Sequence, residues 1–169
     1  MGEKIALWIA GLFGGSVLFG KLISVFIISM LPIIELRGAI PVAAFLFNVE
    51  WPVAFLIAII GNLLPVPFIL FFVEKVFDFM KAHKILDKWI IKLETKAMSK
   101  SDKVNSAQFW GLVAFVAIPL PGTGAWTGSL IASLLKIDRK KSLLAVALGV
   151  LIAGIIVTVL TYGFQGLFL

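Results

Sequence analysis

With 169 residues, 61% of them hydrophobic and only 14% charged, the chain has too little polar surface to cover a soluble core of its size. That excludes an ordinary soluble enzyme, a disordered chain and a disulfide-stapled secreted module, and it predicts an all-α integral membrane protein. Cysteine is absent, His83 is the single histidine, and the net charge of +6 sits mainly in two short basic segments rather than on a surface suited to nucleic acid.

Residues 5–20 are apolar and glycine-rich and predict an N-terminal helix. They lack a basic leader and an Ala-x-Ala site, so the helix is expected to be retained. Residues 22–48 are apolar except for Glu35 and Arg37. They are broken between Pro32 and Pro41, with Ser24–Leu31 and Val42–Asn48 as two short halves. Residues 51–73 read as one transmembrane helix. Residues 74–103 hold eight Lys and five Asp/Glu. There Lys84, Lys88, Lys92, Lys96 and Lys100 oppose a stripe of Leu86, Ile90, Leu93 and Ala97, the pattern of an amphipathic helix on the cytoplasmic membrane surface. Residues 142–166 form the last predicted transmembrane helix.

The segment between these elements sets the topology. Residues 104–135 carry no charge. One crossing would strand Lys136, Arg139, Lys140 and Lys141 outside, against the positive-inside tendency. Two crossings need about 40 residues, and only 32 are present, interrupted at Pro119–Gly124. The solution is a re-entrant helical hairpin over 107–135, matched by a first hairpin over 22–48. Setting Pro32 on Pro119 places Phe47-Asn48-Val49-Glu50 opposite Leu135-Lys136-Ile137-Asp138, and Gly61 opposite Gly149. Each half is then a broken hairpin followed by a transmembrane helix, and the two halves face opposite ways as inverted repeats.

Glu35 and Arg37 are the only ionisable residues between Lys21 and Glu50. Charges inside a membrane segment cost about 2.5–3.5 kcal/mol each, so they mark candidate sites. In one reading they form a structural ion pair or bond free backbone groups of the second hairpin. In the other, Glu35 exchanges a proton and Arg37 holds an anionic substrate group. Residues two apart do not face each other on a helix. Either the backbone is unwound at Glu35–Gly38, or each side chain has its partner elsewhere. The second break, Pro119, Pro121, Gly122, Thr123, Gly124, Trp126 and Thr127, offers backbone, hydroxyls and an indole. A half-helix starting near Thr123 would aim free N–H groups at a substrate, although close packing of small residues is the plainer reading. Asn62, Pro65 and Pro67 are weaker candidates for kink or lining positions.

Pro32-Ile-Ile-Glu35-Leu-Arg37-Gly38-Ala-Ile-Pro41 and Pro119-Leu-Pro121-Gly122-Thr123-Gly124-Ala-Trp126-Thr-Gly128 resemble the two signature segments of the small multidrug export protein family. That prokaryotic group is itself similar to the wider DedA/VTT membrane proteins, although the second break here lacks the arginine of the DedA pattern. The resemblance implies transport, with Glu35 and Arg37 as the essential charges and Pro119–Gly128 as the opposing hairpin.

The expected function is a small secondary transporter of small molecules, with proton coupling, a midplane site between the hairpins and a homodimeric state in a prokaryotic plasma membrane. A flippase for a phosphorylated lipid carrier and a non-transporting membrane scaffold are the alternatives. An enzyme is not expected, because the predicted spans hold no His, Cys or Asp; nor is a cofactor, a metal or a nucleic-acid partner.

Overall fold

The computed structural model of the chain describes residues 18–82, 102–120 and 122–168. Among these the protein is all-helical. The helices are α1 Leu18–Met30, α2 Glu35–Pro41 continued by a π-helical turn Val42–Leu46, α3 Trp51–Leu63, α4 Pro65–Ala82, α5 Asp102–Ala117, α6 Ala125–Leu134 and α7 Arg139–Phe168. Two stretches are long and apolar enough to cross a bilayer: Trp51–Val73, with 23 residues, and Arg139–Gly166, with 28. At 1.5 Å per residue they reach about 35 and 42 Å, against a hydrocarbon core of about 30 Å. By the same rule α1, α5 and α6 reach only about 15–24 Å.

The first break is shorter than its prolines predict. It covers Leu31–Ile34, and Glu35 already opens α2. Pro41 sits inside the helix without ending it. A proline lacks the N–H that would bond four residues back, yet the Val42 N–H resumes the ladder to the Gly38 carbonyl, and the chain then widens into the π turn, where the Phe47 N–H reaches the Val42 carbonyl at 3.2 Å. The predicted 51–73 helix is two helices joined at Leu64, because Pro65 and Pro67 remove two closely spaced ladder bonds. α4 continues to Ala82, into the segment read as the surface helix, and α5 starts at Asp102, earlier than residue 107. The rest of the amphipathic stretch, most of the 5–20 helix and Pro121 lie outside the described residues.

The order of elements repeats: helix, break, short helix, turn, long helix. The two turns match in backbone as well as position, since Asn48 and Lys136 both adopt a φ of 50°. Gly61 and Gly149 also play one role. A Cβ on Gly61 would come within 2.6 Å of the Phe26 carbonyl on α1, and a Cβ on Gly149 within 2.9 Å of the Val113 carbonyl on α5. So α1 packs on α3 and α5 on α7 at glycine contacts. The second arms cross over, α2 onto α7 and α6 onto α4. Alanine at Gly61 or Gly149 must push two backbones apart. Each substitution is expected to cost about 1–3 kcal/mol, read as a lower melting temperature of the detergent-purified protein.

Polar contacts fix which ends lie together. Lys21 on α1 donates to the Phe47 carbonyl at 2.9 Å, so the first broken unit doubles back on itself. Near the end of α7, the Tyr162 hydroxyl donates to the Val49 carbonyl at 2.6 Å and Gln165 to the Ala44 carbonyl at 3.4 Å. At the opposite end of α7, Arg139 lies 5.5 Å from the Phe71 ring, and Lys75 approaches that same ring at 4.4 Å. The α3–α4 pair and α7 therefore run antiparallel, and Lys75 and Arg139, which border the two basic segments, meet at one end. Asp138 starts α7 by accepting the Lys141 N–H at 3.0 Å, a capping bond.

Candidate functional site

Each break in an apolar helix leaves carbonyls on one side and N–H groups on the other without intrahelical partners. In hydrocarbon, where water cannot replace them, these groups need partners from the protein. Here each broken unit serves the other. α1 ends at Met30, whose carbonyl accepts the Trp126 indole N–H at 3.0 Å from α6. α5 ends at Ala117, and the Val116 and Ile118 carbonyls accept Arg37 Nη2 at 3.4 and 3.2 Å from α2. Arg37 Nη1 adds the Thr123 carbonyl at 2.7 Å and the Leu120 carbonyl. One guanidinium thus gathers four carbonyls of the second break. Its Nε is buried with no partner.

Glu35 serves the opposite side of the same break. It is 3% exposed. Its Oε1 accepts the Trp126 backbone N–H at 3.2 Å, in the first turn of α6, where a negative charge also meets the positive end of the helix dipole. Glu35 adopts a φ of 53°, uncommon for a residue with a side chain. That conformation lets α2 begin directly after the break while the carboxylate turns toward α6. Glu35 and Arg37 therefore attract each other through charge, but their hydrogen-bond partners lie elsewhere. The helix is wound across Glu35–Gly38, and each side chain has its partners on the other broken unit, the anion at a helix start and the cation at a helix end.

Gly124 makes this approach possible. Its φ is 128°, a conformation open to glycine, and a Cβ there would lie 2.8 Å from the Glu35 carboxyl carbon. Gly124→Ala combines backbone strain of about 1–3 kcal/mol with displacement of Glu35. The expected result is a clear drop in melting temperature together with loss of function, whereas Gly111→Ala, with open space at its Cβ, leaves both unchanged.

Where the two breaks meet there is a cleft of about 580 Å³ lined by Glu35, Arg37, Gly38, Thr123, Thr127 and neighbouring break residues, a volume in the range of small-molecule sites. Of the residues singled out from sequence, Glu35, Arg37, Pro119, Gly122, Thr123 and Thr127 line this cleft. Gly124 and Trp126 lie behind it against Glu35. The Thr123 hydroxyl lies 2.8 and 2.9 Å from the Ile118 and Leu120 carbonyls and tightens the loop. The sequence reading offered free backbone groups of the second hairpin as partners of the two charges, but it singled out none of the carbonyls of Val116, Ile118 and Leu120, and it missed that of Met30. Their signal was the break itself, because a helix that stops inside a membrane must leave such groups behind. Ile33 and Ile34 were also missed as lining residues. Among the described residues no group of three or more His, Asp or Glu is gathered as a metal would need.

The sequence model of the small multi-drug export protein family matches residues 35–156. The chain belongs to that family. The match begins at Glu35 and takes in Arg37, the second break and most of α7, so most of the cleft lies within the part that family members share. No curated protein and no solved structure matches the chain.

Proposed function

We propose that the protein is a proton-coupled exporter of small molecules, with its site in the cleft between the two breaks. The observation that carries this reading is Glu35: a buried carboxylate that bridges the two broken units at the wall of a cavity large enough for a small molecule. The description of the family as export proteins agrees with it. In this mechanism Glu35, ionised, holds the α6 helix start, and Arg37 holds the α5 helix end. Protonation of Glu35 removes the anion that engages Trp126 and loosens the clasp. The units then part and the cleft opens to the other side.

The topology belongs to the same proposal. The doubling back of the first unit through Lys21 and Phe47, and the antiparallel run of α3–α4 and α7, support two re-entrant hairpins in inverted repeats. The meeting of Lys75 and Arg139 at one end supports a cytoplasmic placement of both basic segments in a prokaryotic plasma membrane. A homodimer completes the reading.

Flipping of a phosphorylated lipid carrier requires the Arg37 guanidinium to leave four carbonyls before it can grip a phosphate, which favours a small-molecule cargo. The deciding experiment reconstitutes the protein in liposomes with an imposed pH gradient and offers a panel of organic cations and polyprenyl phosphate. Gradient-driven movement of cations supports export. Movement of the lipid alone replaces this reading with the flippase, and movement of neither leaves the scaffold.

A further inference from the structure

The second break has the chemistry of a cation site already filled from within the chain. Four backbone carbonyls, Val116, Ile118, Leu120 and Thr123, converge on one planar cation. Backbone oxygens are its hydrogen-bond partners, and Glu35, two residues away, acts on it through charge rather than through a hydrogen bond. A tethered cation held this way can give way to a free cation of the same shape without breaking a hydrogen-bonded ion pair, and the incoming charge keeps the buried Glu35 carboxylate compensated. We propose that this carbonyl cradle is a binding site for guanidinium and amidinium groups, that Arg37 occupies it in the present conformation, and that a cation bearing such a group takes its place when Arg37 swings out.

Geometry and surroundings fix the class of ligand. A planar fork with several donors suits carbonyls spread along one loop, and a compact ammonium cannot reach them all at once. The cleft rim is apolar: Ile33 is 92% exposed and Leu120 56%. Both flank the cradle, so the favoured ligand joins a guanidinium or amidinium head to an apolar body. Glu35 lines the same cleft and neutralises the added charge. That this ligand is also the exported cargo rests on the export reading; binding itself does not.

The test uses the full-length Arg37→Ala protein in detergent, with guanidinium chloride at low millimolar concentration as the probe. Guanidinium should bind the emptied cradle and raise the melting temperature of the variant by about 3–5 °C at tenfold excess over its dissociation constant. Wild type, whose cradle is filled, should show no rise, and neither sodium chloride nor urea, the neutral analogue of similar shape, should act on the variant. An equal response of wild type and variant, or none in the variant, overturns the proposal. Where Arg37→Ala cannot be recovered alone, recovery of monodisperse protein only when guanidinium is present during solubilisation counts in favour. If neither condition yields protein, Arg37→Lys is melted instead. A smaller guanidinium-specific rise supports the site, and its absence overturns it. Binding without gradient-driven transport would keep this site and remove the export reading; transport without binding would do the reverse.

Discussion

Arg37→Ala is expected to be among the most damaging single substitutions in the protein. It removes every side-chain donor from the carbonyls of Val116, Ile118, Leu120 and Thr123 except the Thr123 hydroxyl. The Ile118 and Leu120 carbonyls keep the N–H groups of Leu120 and Thr123, but those of Val116 and Thr123 lose the Arg37 donor, and an unsatisfied buried acceptor costs about 1–3 kcal/mol. Water entering the cleft will recover part of this, so the net loss is about 3 kcal/mol, or about 6–12 °C in melting temperature for a chain of this length. Arg37→Lys should restore part of the loss, because an ammonium keeps the charge but cannot span the loop. A melt of the three proteins ranks them: wild type highest, lysine between, alanine lowest. Equal melting of wild type and alanine variants would show that the loop needs no cation.

Glu35 separates stability from function. Glu35→Ala leaves the Trp126 N–H without its acceptor and opens a small void beside Gly124. A loss of about 2 kcal/mol is expected from the lost charged hydrogen bond. Glu35→Gln keeps an oxygen in place and nearly the same volume, so the fold should survive with a melting temperature within a few degrees of wild type. Only the ability to lose and regain charge disappears. A glutamine variant that melts as low as the alanine variant would place the whole role of Glu35 in the fold.

Why two charges stand two residues apart in an apolar segment now has a physical answer. They do not pair, because they serve opposite ends of one interrupted helix, the anion at the N–H side and the cation at the carbonyl side. The sequence could show that both were out of place in a membrane segment, and that Pro119–Gly124 must break a helix. The matching positions of Gly61 and Gly149 and of the turns at Asn48 and Lys136 were legible in the same way. That Arg37 could bond free backbone groups of the second hairpin was legible as one of two readings, but which carbonyls was not, since only the three-dimensional path of the loop gathers them. The Trp126 bond to Met30 was hidden for the same reason. Pro41 misled because the helix loses one bond there and continues, so the break is confined to Leu31–Ile34 and Glu35 and Arg37 stand on a wound helix.

Mutual support between the broken units also defines what must change for a substrate to pass. Under the proposed export mechanism, parting the breaks would break the Glu35–Trp126, Arg37–carbonyl and Trp126–Met30 contacts together and would also shift α2 on α7 and α6 on α4, while α1 on α3 and α5 on α7 stay locked at their glycines.

The decisive measurement is the rate at which liposomes holding equal amounts of wild type or Glu35→Gln protein accumulate one organic cation under an imposed pH gradient. Wild type should concentrate the cation above equilibrium, and the glutamine variant, folded and correctly inserted, should not. Accumulation by Glu35→Gln at the wild-type rate would contradict proton coupling through Glu35 and the switch built on it.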